Sequence, residues 1–256
     1  MILVDTHAHI YIPEMKPDLE QLLKRAENEG VAKVFLPAID SETHEDLIGL
    51  SRQYPQTCFP MMGLHPCSVK ANYRDELKIA RDYLDAGRFW AVGETGLDFY
   101  WDRNFDAEQY LAFHEQIEWA LEKDLPLVIH SRNSTDECIE SVRKYQHGKL
   151  RGIFHCFSGN AEQAQKITEL GFYLGIGGVL TFKNSGLDAA IKNIDPAFLV
   201  LETDSPYLAP VPYRGKTNEP SYLKYVIQKL ADVKEMGQEE MAGITTANAK
   251  NLFRFD

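Results

Sequence analysis

Short apolar runs alternate with longer amphipathic stretches along nearly the whole chain. The runs at 2–9, 31–39, 58–65, 89–97, 125–131, 152–157, 172–178 and 199–205 predict strands. Between them, 16–30, 41–54, 74–87, 106–124, 134–147, 160–170 and 186–194 carry helical spacing. Leu19, Leu22, Leu23 and Ala26 recur at i, i+3 and i+4, with Gly30 placed to end that helix. A proline-rich segment at 206–220 follows the eighth run, and two more helical stretches lie near 221–236 and 238–254. Eight strands, each followed by a helix, predict an α/β fold whose parallel sheet closes into a (β/α)8 TIM barrel. Parallel strands covered by helices are apolar nearly throughout, as Val34-Phe35-Leu36-Pro37-Ala38-Ile39 and Pro126-Leu127-Val128-Ile129 are. A doubly wound open sheet shares the alternation; the strand count and the length of 256 residues favour the barrel. With no linker and no low-complexity segment, residues 1–256 are expected to form one domain.

The histidines sharpen this picture. Of eight, His44, His114 and His147 fall within predicted helices, where a solvated or half-buried role suffices. His7, His9, His65, His130 and His155 fall at or near the ends of predicted strands, which in a barrel form the active-site face. His7 and His9, at a spacing of two, are expected to share one face of the first strand. Glu94 ends the fourth run, and Glu202 and Asp204 end the eighth, with Asp204 nearer the mouth. A carboxylate deep in an apolar barrel is unfavourable unless it is paired or bound to metal. Each residue alone has an ordinary explanation, as a cap, a turn or a core histidine. Four histidines and two carboxylates converging on one face do not.

Imidazole and carboxylate donors suit divalent metals such as Zn, Mn, Ni or Co. One ion takes three or four protein ligands, so His7, His9, Glu94, His130, His155 and Asp204 predict two ions. Two such ions activate water and clamp the oxygens of a displacement, so the reaction class is metal-assisted hydrolysis. Asp204 could also take the proton of the attacking water. His65 is expected to donate to an anionic substrate oxygen, and Arg132, Tyr207, Arg214 and Lys216, on mouth loops, to receive phosphate. A serine triad is disfavoured because no Gly-x-Ser-x-Gly elbow is present. Cys156 follows His155 and by strict alternation faces away from the barrel interior.

Charge narrows the partners. Lys and Arg total 27 against 38 Asp and Glu, a net charge of −11, which excludes a generic basic coat for nucleic acid. It does not exclude a polyanion at a local, metal-neutralised site. Four scattered cysteines make no disulfide framework. The N-terminus has no basic leader, and no stretch approaches the length of a spanning helix, so a cytoplasmic protein is expected.

The chain resembles the TatD family of metal-dependent deoxyribonucleases, within the amidohydrolase-like barrels. The matching stretches run in order through the sequence. They are Asp5-Thr-His-Ala-His9, Gly63-Leu-His-Pro66, Gly93-Glu-Thr-Gly-Leu-Asp98, His130-Ser-Arg132, His155-Cys-Phe-Ser-Gly159, Glu202-Thr-Asp-Ser-Pro206, Asn218-Glu-Pro220 and Thr246-Ala-Asn-Ala-Lys-Asn-Leu-Phe253. The resemblance implies metal binding by His7, His9, Glu94, His130, His155 and Asp204, with Glu94 bridging two divalent ions (Zn, Mn, Mg, Ni or Co) and Asp204 doubling as catalytic acid/base. It implies DNase activity on DNA, often from a 3′ end. Given the net charge, single-stranded or short ends are the expected substrate, with no membrane and no obligate protein partner. Thr217 stands where the family carries a basic residue, and Asn133 where it often carries an acid. The alternative keeps the site but changes the bond, to a small phosphoester, an ester or an amide.

Overall fold

The computed structural model describes residues 1–255. Eight strands are present among them: β1 (Leu3–Asp5), β2 (Val31–Leu36), β3 (Cys58–Pro60), β4 (Val92–Asp98), β5 (Leu127–Arg132), β6 (Gly152–Phe154), β7 (Tyr173–Ile176) and β8 (Leu199–Leu201). The helices are α1 (Leu19–Asn28), α2 (His44–Gln53), α3 (Tyr73–Ala86), α4 (Asp106–Lys123), α5 (Thr135–Tyr145), α6 (Ala161–Glu169), α7 (Leu187–Ile191), α8 (Leu223–Lys234) and α9 (Gln238–Phe253). Every predicted element is found, with strands shorter than their apolar runs and the 186–194 helix reduced to little more than one turn.

All strand pairs are parallel, in the order β1-β2-β3 and β4-β5-β6-β7-β8. Two seams complete the ring. At one, Met62 N–H donates to Ala91 O (3.1 Å) and Gly93 N–H to Met62 O (2.9 Å). At the other, Thr6 N–H donates to Leu201 O (2.9 Å) and His9 N–H to Ser205 O (2.7 Å). The fold is the (β/α)8 barrel. Buried Asp5 reinforces the second seam by accepting the Thr203 N–H at 2.9 Å.

Two apolar cores follow from the strand period of two. The larger lies between strands and helices. The smaller takes Val4, Phe35, Phe59, Val128, Ile153 and Val200 from six different strands and is the barrel lumen. The last turn of α9 closes its floor: Phe253 stacks on Phe35 with ring centroids 3.9 Å apart. Counting by two from these lumen residues carries Val128 to His130, Ile153 to His155 and Val200 to Glu202, all toward the mouth.

β4 does not follow that count. Its register against β5 shifts between Val92 and Thr95, a bulge of the kind that re-aims a side chain beside a functional site. Glycine makes the tight pairing possible: at Gly96, with φ +133°, an added Cβ would sit 2.1 Å from His130 O. Gly96→Ala is therefore expected to destabilise the protein by about 1–3 kcal/mol through overpacking. Urea unfolding checks this, and an unchanged midpoint would mean that β5 yields freely at His130.

Candidate metal centre

Glu94, delivered inward by the bulge, is 1% exposed and is the hub of the mouth. Its two oxygens face different histidines. Oε2 lies 3.0 Å from His7 Nε2 and 3.3 Å from His9 Nε2. Oε1 lies 2.8 Å from His155 Nε2, 3.0 Å from His130 Nδ1 and 3.2 Å from His65 Nε2. Asp204 Oδ1 stands 3.8 Å from His7 Nε2 and 3.7 Å from His9 Nε2. Strict alternation from Val4 would turn Thr6 and Ala8 inward, but regular strand pairing ends at Asp5 and resumes only as a single bridge at Ala8, and His7 and His9 reach the cluster instead. The residues expected to gather do so.

Surrounding groups set which ring nitrogens are free. The Tyr11 hydroxyl donates to Pro37 O (2.6 Å), so its oxygen accepts from His9 Nδ1–H (3.1 Å) and His9 Nε2 keeps its lone pair. His130 Nε2–H donates to Asp98 Oδ2 (2.9 Å), leaving Nδ1 to face Glu94. His65 differs: Cys67 N–H donates to its Nδ1 (3.0 Å), so neutral His65 carries its proton on Nε2 and acts as a donor. His155 is steadied by Glu202, whose Oε1 lies 3.6 Å from His155 Nδ1 and also accepts the Cys156 N–H. Gly175 makes room for that carboxylate, since an added Cβ would meet Glu202 Oε2 at 2.2 Å.

These donors fit divalent cations. The Nε2 atoms of His7 and His9 are 3.2 Å apart, with both rings buried. Ligand nitrogens around Zn at 2.0–2.1 Å are separated by about 3.0–3.4 Å. Glu94 Oε2, fully buried, has no hydrogen-bond partner, and neither do His7 Nδ1, His155 Nδ1 and Glu202 Oε2. Three overlapping groups bring ligand atoms within 4.8 Å of one another: His7 with His9 and Glu94, His65 with Glu94 and His130, and His7 with His155 and Asp204. The tautomer of His65 takes it out of the second.

Burial and neighbouring charge set the titration of the cluster. Burial pushes Asp204 up to about 6, against the pull of His155 and His9. Burial pushes His7 well down, and the neighbouring His155 adds to this, so His7 stays neutral. For Glu94, burial is outweighed by His155, His65 and His7, which hold its carboxyl well below the usual range. For His155, burial is outweighed by Glu94 and Glu202, and the ring is held well above its ordinary value.

The cluster lies in a cavity of about 970 Å³ at the mouth, with Arg132, Tyr207, Arg214 and Lys216 on its wall. Arg132 lies over the Tyr100 ring at 3.9 Å and Arg214 over Phe182 at 4.4 Å. Tyr207 is 53% exposed, its ring 6.3 Å from that of His9. Cys156 lines the same cavity, contrary to strict alternation. β6 has ended at Phe154, and Cys156 adopts φ +45°, which breaks the period of two. The sequence reading also missed Asp98, Tyr11 and the buried glutamines of α4. Gln116 accepts the Leu64 N–H (2.8 Å) and Gln109 the Asp98 N–H (2.8 Å), fixing the chain at His65 and at the end of β4. Their spacing of seven on one helix, next to apolar neighbours, was the available signal. Asn218 holds the loop after β8 by donating to Thr203 O and Tyr207 O, both at 2.7 Å.

The chain matches the family described as TatD related DNase over residues 4–254. It is 37% identical to the uncharacterized metal-dependent hydrolase YabD of Bacillus subtilis over 256 residues, all of both chains. It is 29% identical to the 3′-5′ ssDNA/RNA exonuclease TatD of Pectobacterium parmentieri, covering 98% of each. The crystal structure of YJJV, a TatD homologue from Escherichia coli, superposes with a TM-score of 0.93 at 29% identity, covering 99% of this chain and 98% of that one.

With Asp204 and His155 as ligands, binding a cation would require Asp204 to be ionised and His155 to release its proton, so affinity would rise with pH. Asp204, raised to about 6, is mostly protonated below that pH and ionised above it. The dissociation constant for Zn or Mn is expected to weaken by roughly tenfold or more from pH 7.5 to pH 5.5. Calorimetry in buffers of different ionisation enthalpy should show protons released on binding. Affinity independent of pH would contradict the assignment of these groups.

Proposed function

Because the chain belongs to the TatD-related DNase family, we propose that this metal-dependent hydrolase cleaves phosphodiester bonds in DNA, removing nucleotides from 3′ ends, preferably of single strands. The observation that carries the reading is the division of the Glu94 oxygens between two sets of imidazoles. In this proposal His7, His9, Glu94, His130, His155 and Asp204 hold two divalent ions, with Glu94 shared. Charge supports the number. Glu94 lies within ion-pair distance of His7, Asp98 of His130, Glu202 of His155 and Asp204 of His7, and these four negative charges would match two divalent cations. The donor set suits Zn, Mn, Ni or Co better than Mg, which prefers oxygen ligands.

Bound divalent ions would supply Lewis acidity toward a phosphoryl oxygen and acidify water at neutral pH. The chain's own residues do the rest. Asp204, at the open side of the cluster, accepts the proton of the attacking water on its carboxylate and returns it to the leaving alkoxide. His65 Nε2–H faces Glu94 Oε1 at 3.2 Å and in this proposal turns to a non-bridging phosphate oxygen when substrate is bound. Arg132 and Arg214 bind neighbouring phosphates from the wall. Asp98 and Tyr11 keep His130 and His9 in the required tautomers.

We read residues 1–256 as one hydrolase domain. No helix among the described residues is long and apolar enough to cross a membrane. The four cysteines are free, which suits a reducing compartment, and we assign the protein to the cytoplasm.

Removing the acid/base is expected to lower the rate by about 10²–10⁴-fold. The check is shortening of a 5′-labelled single-stranded oligonucleotide by metal-loaded wild type, Asp204→Asn and Glu94→Gln, with metal content measured for each. Glu94→Gln should lose bound metal together with activity. A wild-type protein that hydrolyses carboxyl esters but releases no nucleotide would overturn the nuclease reading.

A further inference from the structure

Large apolar side chains are exposed unevenly over this protein. Ten are exposed among the described residues, and six stand on two loops at the mouth: Tyr100 and Trp101 after β4, and Tyr207, Leu208, Val211 and Tyr213 after β8. Trp101 is the most exposed of all, at 67%. Exposed apolar surface gathered beside a cleft marks a binding surface rather than chance. This one is joined to positive charge. The Arg132 guanidinium lies 3.9 Å from the Tyr100 ring centroid and 5.2 Å from that of Trp101. Trp101 and Arg132 line the same cavity as Asp204.

The loop is held in register with the metal centre. Asp98 Oδ1 accepts the backbone N–H groups of Tyr100 (2.9 Å) and Trp101 (3.0 Å), while Oδ2 accepts from His130 Nε2 (2.9 Å). Phe99 N–H donates to Arg132 O (2.9 Å), tying the loop to the end of β5. One carboxylate thus fixes both an imidazole of the cluster and the backbone that presents the two aromatic rings.

We propose that Trp101, with Tyr100 and Arg132 beside it, is a stacking platform for a nucleobase next to the phosphodiester being cleaved. The substrate is then an unpaired nucleic-acid end: a base inside a duplex has both faces covered by its neighbours and offers none to Trp101. Stacking on an aromatic face is sequence-tolerant, because every base has one. The occupant must carry flat, apolar faces alternating with anions, and a single strand does. This inference rests on the nuclease reading and deepens it.

The test compares wild type, Trp101→Ala, Trp101→Phe and Leu111→Ala on a single-stranded oligodeoxynucleotide. Leu111 is exposed on α4 and serves as a control for loss of surface apolar area. Trp101→Ala should raise KM by about 5- to 160-fold, the range that base stacking covers, and Trp101→Phe should recover most of the loss. Leu111→Ala should keep the wild-type KM. Of the three tryptophans, Trp101 is the exposed one, so the oligonucleotide should quench fluorescence in wild type far more than in Trp101→Ala. If wild type cleaves the strand while Trp101→Ala retains its KM and quenching, the platform is refuted and the nuclease reading stands. If wild type neither cleaves nor binds the strand, the nuclease reading itself fails, and the platform with it.

Discussion

The buried carboxylate of Glu94 among five imidazoles is the constraint on which the mouth of this barrel depends. Taking an ion of that size out of water costs several kcal/mol even after the protein relaxes, and attraction to partners offsets it only with excellent geometry. Five ring nitrogens lie within 3.3 Å of its two oxygens, yet Oε2 has no hydrogen-bond partner among them. They do not supply fixed charge, because an imidazole is positive only when protonated. The cluster therefore calls for cations from outside or protons from solvent, and the two compete for the same atoms. Burial of Asp204 and the raised basicity of His155 are two expressions of that competition.

The outer groups decide which atoms compete. Three histidines on the same pit look alike in sequence, yet His9 and His65 both turn Nε2 toward Glu94, the first with a lone pair and the second with a proton, while His130 turns Nδ1. The Tyr11 hydroxyl oxygen accepts a hydrogen bond from His9 Nδ1–H, Asp98 accepts one from His130 Nε2–H, and the Cys67 N–H donates to His65 Nδ1. A single hydrogen bond on the far side of each ring separates a lone-pair donor from a proton donor. His65 thereby turns a proton rather than a lone pair toward Glu94, which is a distinction of tautomer and not of position.

How much of this could be read from the sequence depends on whether a residue obeys the strand period. His130, His155 and Glu202 lie two residues beyond lumen-facing Val128, Ile153 and Val200, and simple counting places them. The TIM barrel was legible for the same reason, since eight apolar runs survive the shortening of each strand. Glu94 and the His7–His9 pair reach the cluster by leaving that count, through a bulge in β4 and an early end to β1. Their chemistry announced them where the periodicity did not. Cys156 shows the converse: one residue with φ +45° reversed the expected direction of its side chain. Asp98, Gln109 and Gln116 were passed over because a buried amide or carboxylate reveals its partner only when distant segments meet.

The overall charge and the mouth make opposite demands. A protein of net charge −11 repels a polyanion at long range, so electrostatic steering cannot bring nucleic acid to it. In the proposed function attraction would have to be short-ranged, from cations held at the cluster, Arg132 and Arg214 on the wall, and apolar rings at the rim. Stacking is unaffected by the sign of the surrounding surface, and it selects for bases already free of their neighbours. In the proposed function, an acidic exterior with an aromatic rim would therefore discriminate by strand state. Long duplex would be repelled and offers base faces only at its terminal pairs, whereas a frayed or single-stranded end would lose little to repulsion and gain the proposed platform. On this argument the negative surface is part of the specificity rather than an obstacle to it.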